Sequence, residues 1–143
     1  KDIELVMLGS KETGIAERVR DTKVHAMGYI SDPDIIRKAY SAADAFVLPS
    51  LSENLPNTIM EAMACQTPCV GFDVGGIPEM IDHKENGYVA QYRDADDLAE
   101  GLAYVLQYAD ALGARCREKV IREYSEDAVA EKYIKIYESC VEY

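Results

Sequence analysis

The sequence predicts an α/β fold, a Rossmann-like parallel sheet with helices on both faces and a helical C-terminus. Three observations predict it. Short apolar runs such as Cys69-Val70-Gly71-Phe72 alternate with segments of helical periodicity. Most of those runs stop at glycine or proline, and the last part of the chain carries helical periodicity alone. Strands separated by helices pair in parallel, because each return crossing needs a helix.

Element by element, Ile3 to Leu8 reads as a strand ended by Gly9-Ser10, and Thr13 to Asp21 as a polar, helix-prone stretch. Val24 to Met27 reads as a second strand, stopped at Gly28. Ser31-Asp32-Pro33 is a helix start, with a side-chain cap followed by proline where no donor is missed. Ile35, Ile36, Ala39 and Tyr40 follow at helical spacing. Ala45 to Leu48 is a short buried strand stopped by Pro49, then Leu51 to Asn57 a loop and Thr58 to Gln66 a helix. Cys69 to Phe72 is a strand, followed by Gly75-Gly76 and a short helix from Pro78. Asn86-Gly87 is a turn and Tyr88 to Ala90 a last strand. Asp94 caps a helix with Leu98, Leu102, Val105 and Leu106 on one face. A second helix covers Ala111 to Glu123. Ser125 caps a third, whose Val129, Tyr133, Ile136, Tyr137 and Cys140 form a stripe expected to pack on its own domain.

The length of 143 residues suits one domain with one core. With 26 acids against 15 bases the formal charge is −11, which repels phosphate backbones and anionic lipid and argues against nucleic-acid binding. No apolar stretch approaches ~20 residues, so no bilayer span is expected. Lys1 leads directly into a strand-like segment, so no signal peptide is expected. Cys65, Cys69, Cys116 and Cys140 form no CxxC pair. Cys65 and Cys69 lie in apolar stretches, which suits reduced core thiols and a cytoplasmic chain. With His25 and His83 they show no zinc-ligand spacing, so no metal is expected.

In α/β sheets ligands bind beyond the carboxyl ends of the strands, so the loops after Leu8, Met27, Leu48 and Phe72 are the informative ones. The segment Thr58 to Cys65 is apolar nearly all round and is expected to be largely buried, with Glu61 in its middle. An unpaired carboxylate there needs a charge partner, donors or a solvent-lined cleft. Two readings stay open: a structural ion pair, or a carboxylate held to accept hydroxyl hydrogen bonds. Glu53 lies in the loop after the buried strand, and by itself is equally a solvated loop acid. Between the two acids, Pro56 fits a first helical turn and Asn54 or Asn57 can cap it, leaving backbone N–H groups to meet ligand oxygens. Gly75-Gly76 permits either close backbone approach to a ligand or positive φ.

These residues carry a resemblance. Ser41 to Ser50, then Glu53 to Glu61, then Gly75-Gly76-Ile77-Pro78-Glu79 resemble the C-terminal domain of retaining family-4 glycosyltransferases of the GT-B fold. Asn86-Gly87-Tyr88 and Asp97-Leu98-Ala99 also match, so the resemblance runs from about Leu5 to Leu106. Its most specific element is Glu53 with Glu61, set between Pro49-Ser50 and a helix ending in Cys65-Gln66-Thr67-Pro68.

The resemblance implies roles. Glu61 would accept hydrogen bonds from the ribose hydroxyls of a nucleotide, and Glu53 would be the carboxylate nearest the transferred sugar. Backbone amides of Asn54, Leu55 and Asn57 would face the sugar and diphosphate. Gly28-Tyr29-Ile30, with Tyr29 and Ile30 as binding residues, would lie against the base. The reaction would transfer a hexose-type sugar from a nucleotide diphosphate donor with retention, to a saccharide or lipid-linked acceptor, without cofactor or metal. No covalent nucleophile is then required, because the protein positions groups and stabilises the leaving diphosphate.

Where the family often has glycine, this chain has Asn54 and Gln66. Asparagine tolerates positive φ. A left-handed cap at Gln66 would cost up to ~1 kcal/mol relative to glycine. The resemblance also places Lys1 to Met7 at the second strand of the domain. Residues 1–143 are therefore expected to be a nucleotide-sugar-binding domain lacking its first strand, the diphosphate-gripping Arg and Lys, and the N-terminal acceptor domain, and to be inactive alone. Any membrane-surface contact would belong to that absent half. A non-catalytic binding or scaffold module on the same fold and a nucleotide-sugar epimerase are the alternative readings.

Overall fold

The computed structural model describes residues 3–9, 14–19 and 22–141, which fall into two compact units dividing between Ala39 and Tyr40. In the first unit, β1 (Glu4–Met7) pairs in parallel with β2 (Lys23–Ala26), with Leu5 opposite Val24. The chain between them includes α1 (Gly14–Arg18). Beyond the strands the pairing continues through Met27 N–H to the Met7 carbonyl at 3.0 Å and Gly9 N–H to the Gly28 carbonyl at 2.9 Å. Gly9 and Gly28 both have positive φ, at 98° and 68°, the conformation that glycine supplies without a Cβ penalty. On the exposed face Glu4 lies 2.7 Å from His25 Nε2 and 3.3 Å from Lys23 Nζ. Helix α2 (Pro33–Ala42) starts as expected, with Asp32 Oδ1 accepting from Asp34 N–H at 2.9 Å and proline at the first helical position.

The second unit is built on β3 (Phe46–Leu48), β4 (Cys69–Phe72) and β5 (Gly87–Ala90), all parallel, in the order β3-β4-β5. Within each unit the described strands pair in parallel, as the sequence reading expects. The central strand β4 is buried throughout. Its side chains alternate between faces. Val70 and Phe72 join Tyr88, Ala90, Val105 and Leu112 in one core. Gly71 backs onto Ile77, and Gly87 onto Ile81.

Helices α3 (Asn57–Ala64), α4 (Ile77–Met80) and α5 (Ala95–Tyr124) enclose this sheet. The two helices expected over Leu98 to Glu123 are the two arms of α5, separated at Tyr108, where φ −119° and ψ 20° leave the helical region. Asp94 caps it as expected, its Oδ1 accepting from Asp96 and Asp97 N–H at 3.0 Å each. The second half of α5 is fastened by a buried cation. Lys119 Nζ donates to the Glu79 carbonyl and to Asp82 Oδ1, each at 2.8 Å. Asn86, 2% exposed, closes the same turn with both side-chain atoms on Asp82, at 3.0 Å each.

Helix α6 (Glu126–Val141) follows Ser125, whose Oγ accepts from Ala128 N–H at 3.2 Å. The expectation that its stripe packs on its own domain is corrected. No residue of α6 is buried, and Tyr133, Ile136 and Tyr137 are all more than half exposed. Of the cysteines, Cys69 and Cys116 are buried thiols, Cys65 is half-buried and Cys140 exposed. Burial pushes the Cys116 thiol up to about 12, which keeps it protonated and unreactive. No helix among the described residues is long and apolar enough to cross a membrane.

Candidate functional site

Parallel pairing puts the carboxyl ends of β3, β4 and β5 on one edge of the second unit, so the loops that follow them share that edge. The loop after β3 runs from Pro49 to Pro56 and carries Glu53, Asn54 and Leu55. Neighbouring loops hold it in place. Gly76 N–H donates to the Asn54 carbonyl. A Cβ at Gly75, whose φ is 56°, would collide with the Glu53 carbonyl oxygen, and one at Gly76 with the Asn54 carbonyl oxygen. The glycine pair is thus needed for close packing of two loops. From the loop after β5, Tyr92 Oη donates to the Leu51 carbonyl at 3.0 Å. Leu51, Leu55 and Tyr92 remain 49%, 42% and 45% exposed, a group of apolar side chains open to solvent on these loops.

Helix α3 opens directly beyond this loop. Pro56 occupies its N-cap, one position before the first turn where the sequence reading puts it. No side chain caps the helix, so neither Asn54 nor Asn57 performs the expected capping. The first turn also carries no acidic residue. Its leading N–H groups and the positive end of its dipole are therefore uncompensated by side chains and suit an anionic or hydroxyl oxygen. At the other end Gln66 takes the left-handed conformation, φ 64°, as the missing glycine predicts. Asn54 is not among the residues with positive φ, so its tolerance is not called upon.

Glu61 departs from expectation. Ile59, Ala62 and Met63 form the buried stripe of α3, while Asn57, Thr58 and Glu61 lie on the exposed face. The carboxylate is therefore exposed and not buried in an oily helix. No lysine, arginine or histidine pairs with Glu61 or Glu53 among the described residues. Glu61 has one protein donor among those residues, Tyr40, whose hydroxyl reaches Oε2 at 3.4 Å. Burial and then the Glu61 charge hold the Tyr40 phenol above its ordinary range, so it stays a donor. Sequence reading counts Tyr40 only as a member of a helical stripe. The signal that could have flagged it is that a buried tyrosine hydroxyl needs a partner.

The structure thus brings Glu53, Asn54, Leu55, Asn57 and Glu61 onto one loop and the helix that follows it. Tyr29 and Ile30 lie after β2 in the first unit, where Tyr29 is 82% exposed and Ile30 half-buried. The arrangement in the second unit offers two unpaired carboxylates as hydroxyl acceptors beside the open amides of a helix start, a combination suited to a polyhydroxylated ligand carrying an anionic group.

Comparison with known proteins bears on that chemistry. Residues 1–108 match the sequence profile of a family described as Glycosyl transferases group 1. The N-acetyl-alpha-D-glucosaminyl L-malate synthase of Bacillus anthracis is 30% identical over 112 residues, covering 76% of this chain and 29% of that protein. The alpha-maltose-1-phosphate synthase of Mycolicibacterium smegmatis is 39% identical over 112 residues, 71% of this chain and 29% of its own length. The chain therefore spans less than a third of either relative. Among solved structures, a sucrose-phosphate synthase from Thermosynechococcus elongatus aligns with a TM-score of 0.81 at 27% identity, over 95% of this chain and 38% of that one. Anabaena Alr3699/HepE in complex with UDP shares the fold, with a TM-score of 0.79 at 18% identity over 96% of this chain and 41% of the other.

Proposed function

Because the chain belongs to the group 1 glycosyl transferases, with their GT-B fold, we propose that it is the donor-binding part of a longer retaining transferase. That enzyme moves a hexose-type sugar from a nucleotide diphosphate to a saccharide or lipid-linked acceptor. The observation that carries this reading is the placement of Glu53 and Glu61 around the uncapped start of α3, with the buried Tyr40 hydroxyl directed at Glu61. A structural ion pair is the competing account of Glu61, and no described cation is there to form it.

In this reading Glu61 accepts from the ribose hydroxyls, and Glu53 from hydroxyls of the transferred sugar. The amides of Asn54, Leu55 and Asn57 face the sugar and diphosphate, where the positive end of α3 stabilises charge developing on the leaving group. No protein nucleophile or metal is required: the donor phosphate takes the acceptor proton as the new glycosidic bond forms on the face the diphosphate leaves. The names of the relatives support transfer to small acceptors as readily as to polymers, since two of them are synthases of sugar phosphates. The enzyme works in the cytoplasm, and any contact with the inner membrane face is made by segments outside these residues.

The test is the full-length protein assayed against UDP-, GDP- and ADP-sugars, with the anomeric configuration of the product read by NMR. One donor class should turn over with retention. Glu61→Ala should then weaken donor binding by about 1.5–3 kcal/mol, the size of a hydrogen bond to a charged group. No turnover with any nucleotide sugar, or a Glu61→Ala enzyme of unchanged donor affinity and rate, would overturn the reading.

A further inference from the structure

We propose that Tyr40 is a positioning residue, whose hydroxyl holds one oxygen of Glu61 so that the other is presented to the ribose hydroxyls of the donor nucleotide. The inference rests on the role given above to Glu61. It starts from a contrast in mobility. Glu61 is an exposed side chain with several rotatable bonds and no cation partner among the described residues. Left free, it would lose rotamer freedom only when ligand arrives, and affinity would fall accordingly.

Tyr40 is the opposite kind of group. It is 5% exposed, and its ring meets Phe46 edge-to-face at 5.4 Å and 85°. Its carbonyl accepts from the buried hydroxyl of Thr67 at 2.7 Å. The residue is thereby fastened both to the first residue of β3 and to the turn after α3. The position of its hydroxyl is set by the core, and that hydroxyl reaches Glu61 Oε2 at 3.4 Å. The bond is long for O–H···O and so a weak restraint, and a carboxylate oxygen has two lone pairs, so Oε2 keeps an acceptor site beside it. Oε1 has no protein donor among the described residues and is left to the ligand.

Tyr40→Phe removes the hydroxyl and keeps the ring and its contact with Phe46. The full-length protein is titrated calorimetrically with UDP, GDP and ADP, and with the dideoxyribose form of whichever binds. Wild type, Tyr40→Phe, Glu61→Gln and the double variant are compared, with melting temperatures as the control for folding. Tyr40→Phe should weaken the ribonucleotide by about three- to tenfold. It should raise the donor KM by a similar factor at near-unchanged kcat, and leave the dideoxy form and the melting temperature unaffected. In the Glu61→Gln background it should change nothing further. Equal loss for the ribose and dideoxyribose forms would reduce Tyr40 to a packing residue and overturn the proposal. Wild-type affinity in Tyr40→Phe, while Glu61→Gln binds weakly, would overturn the positioning role and leave the site reading intact. Wild-type affinity in both would overturn the site reading itself, and this proposal with it.

Discussion

Gly101→Ala sets two effects of opposite sign against each other. Gly101 lies inside α5, where alanine is intrinsically better than glycine by about 1 kcal/mol. On an exposed helix face the change would therefore stabilise. Gly101 is buried, and an added Cβ would stand 2.7 Å from Cγ and 2.9 Å from Cε1 of Tyr88, with Cδ1 nearer still. The ring has nowhere to go. Its backbone is in β5, its hydroxyl donates to Asp97 Oδ1 at 2.7 Å, and the His83 ring packs against it at 4.4 Å. Forcing a methyl into a filled site costs about 1–3 kcal/mol, and a ring clamped at both ends belongs in the upper part of that range. Subtracting the propensity gain leaves a net destabilisation of about 1–2 kcal/mol. Thermal unfolding followed by circular dichroism should then show Tm lower by about 3–8 °C. In a Tyr88→Leu background, where the ring is gone, the same substitution should be neutral or stabilising. A Tm equal to or above wild type in the Gly101→Ala single variant would refute the packing argument, as would a full penalty that survives removal of the ring.

Three further outcomes follow from the same structure. Gln66→Gly replaces a left-handed glutamine at φ 64° and should raise the urea midpoint at an unchanged m-value, a gain in unfolding free energy of up to about 1 kcal/mol; a lowered midpoint would contradict the strain assigned to that cap. Lys119→Met keeps the apolar stem of a side chain 5% exposed but removes a donor from the Glu79 carbonyl and from half-exposed Asp82, which keeps its bond from Asn86, and should cost about 1 kcal/mol in the same assay; a cost near zero would show that the buried cation fastens nothing. Asp97 accepts from Gln91 N–H and from Tyr88 Oη, and these bonds hold its carboxyl below the ordinary aspartate value of 3.8. Its folded pKa is thus below its unfolded one, so its contribution is complete above that ordinary value and is lost as pH falls through the folded value. Asp97→Asn should flatten the acid arm of the stability curve, and an unchanged arm would remove Asp97 from it.

How much of this is legible in the sequence depends on whether the determinant is local. Strand β4 falls on the predicted Cys69–Phe72, and Asp32, Asp94 and Ser125 cap the helices the sequence assigns to them. A capping side chain bonds within two or three residues of itself, so its signal is contained in a short window. The bend at Tyr108 lies between the two helices read from the pattern. No glycine or proline stands between Leu106 and Leu112, yet the helical conformation is interrupted at Tyr108, so the break falls where the pattern puts it. Leu112, beyond the bend, is buried in the same core as Val105 before it, which ties both halves of the helix to one sheet. The register of each strand pair depends on residues far apart in sequence and leaves no local mark.

The site divides along the same line. Glu53 and Glu61 are legible as residues, because a carboxylate inside or beside an apolar run is a local anomaly. The burial expected of Glu61 is wrong, because counting apolar residues in α3 ignores which face they occupy. Ile59, Ala62 and Met63 recur at helical spacing and take the buried stripe, and Glu61 is left on the open side with Thr58. That correction changes the physical role of the acid. An exposed carboxylate needs no counter-charge to be tolerated, so its lack of a cation is no anomaly in itself, and what distinguishes it is the buried phenol aimed at it. The loop that carries Glu53 is legible, but what holds that loop in place is not. It is held by the Gly76 amide on Asn54, by Gly75 against the Glu53 carbonyl and by Tyr92 on Leu51. All three restraints come from the loops after β4 and β5. Parallel pairing brings those loops to one edge, so the carboxylate closest to the proposed chemistry is positioned by its neighbours in space and not by the residues beside it in the chain.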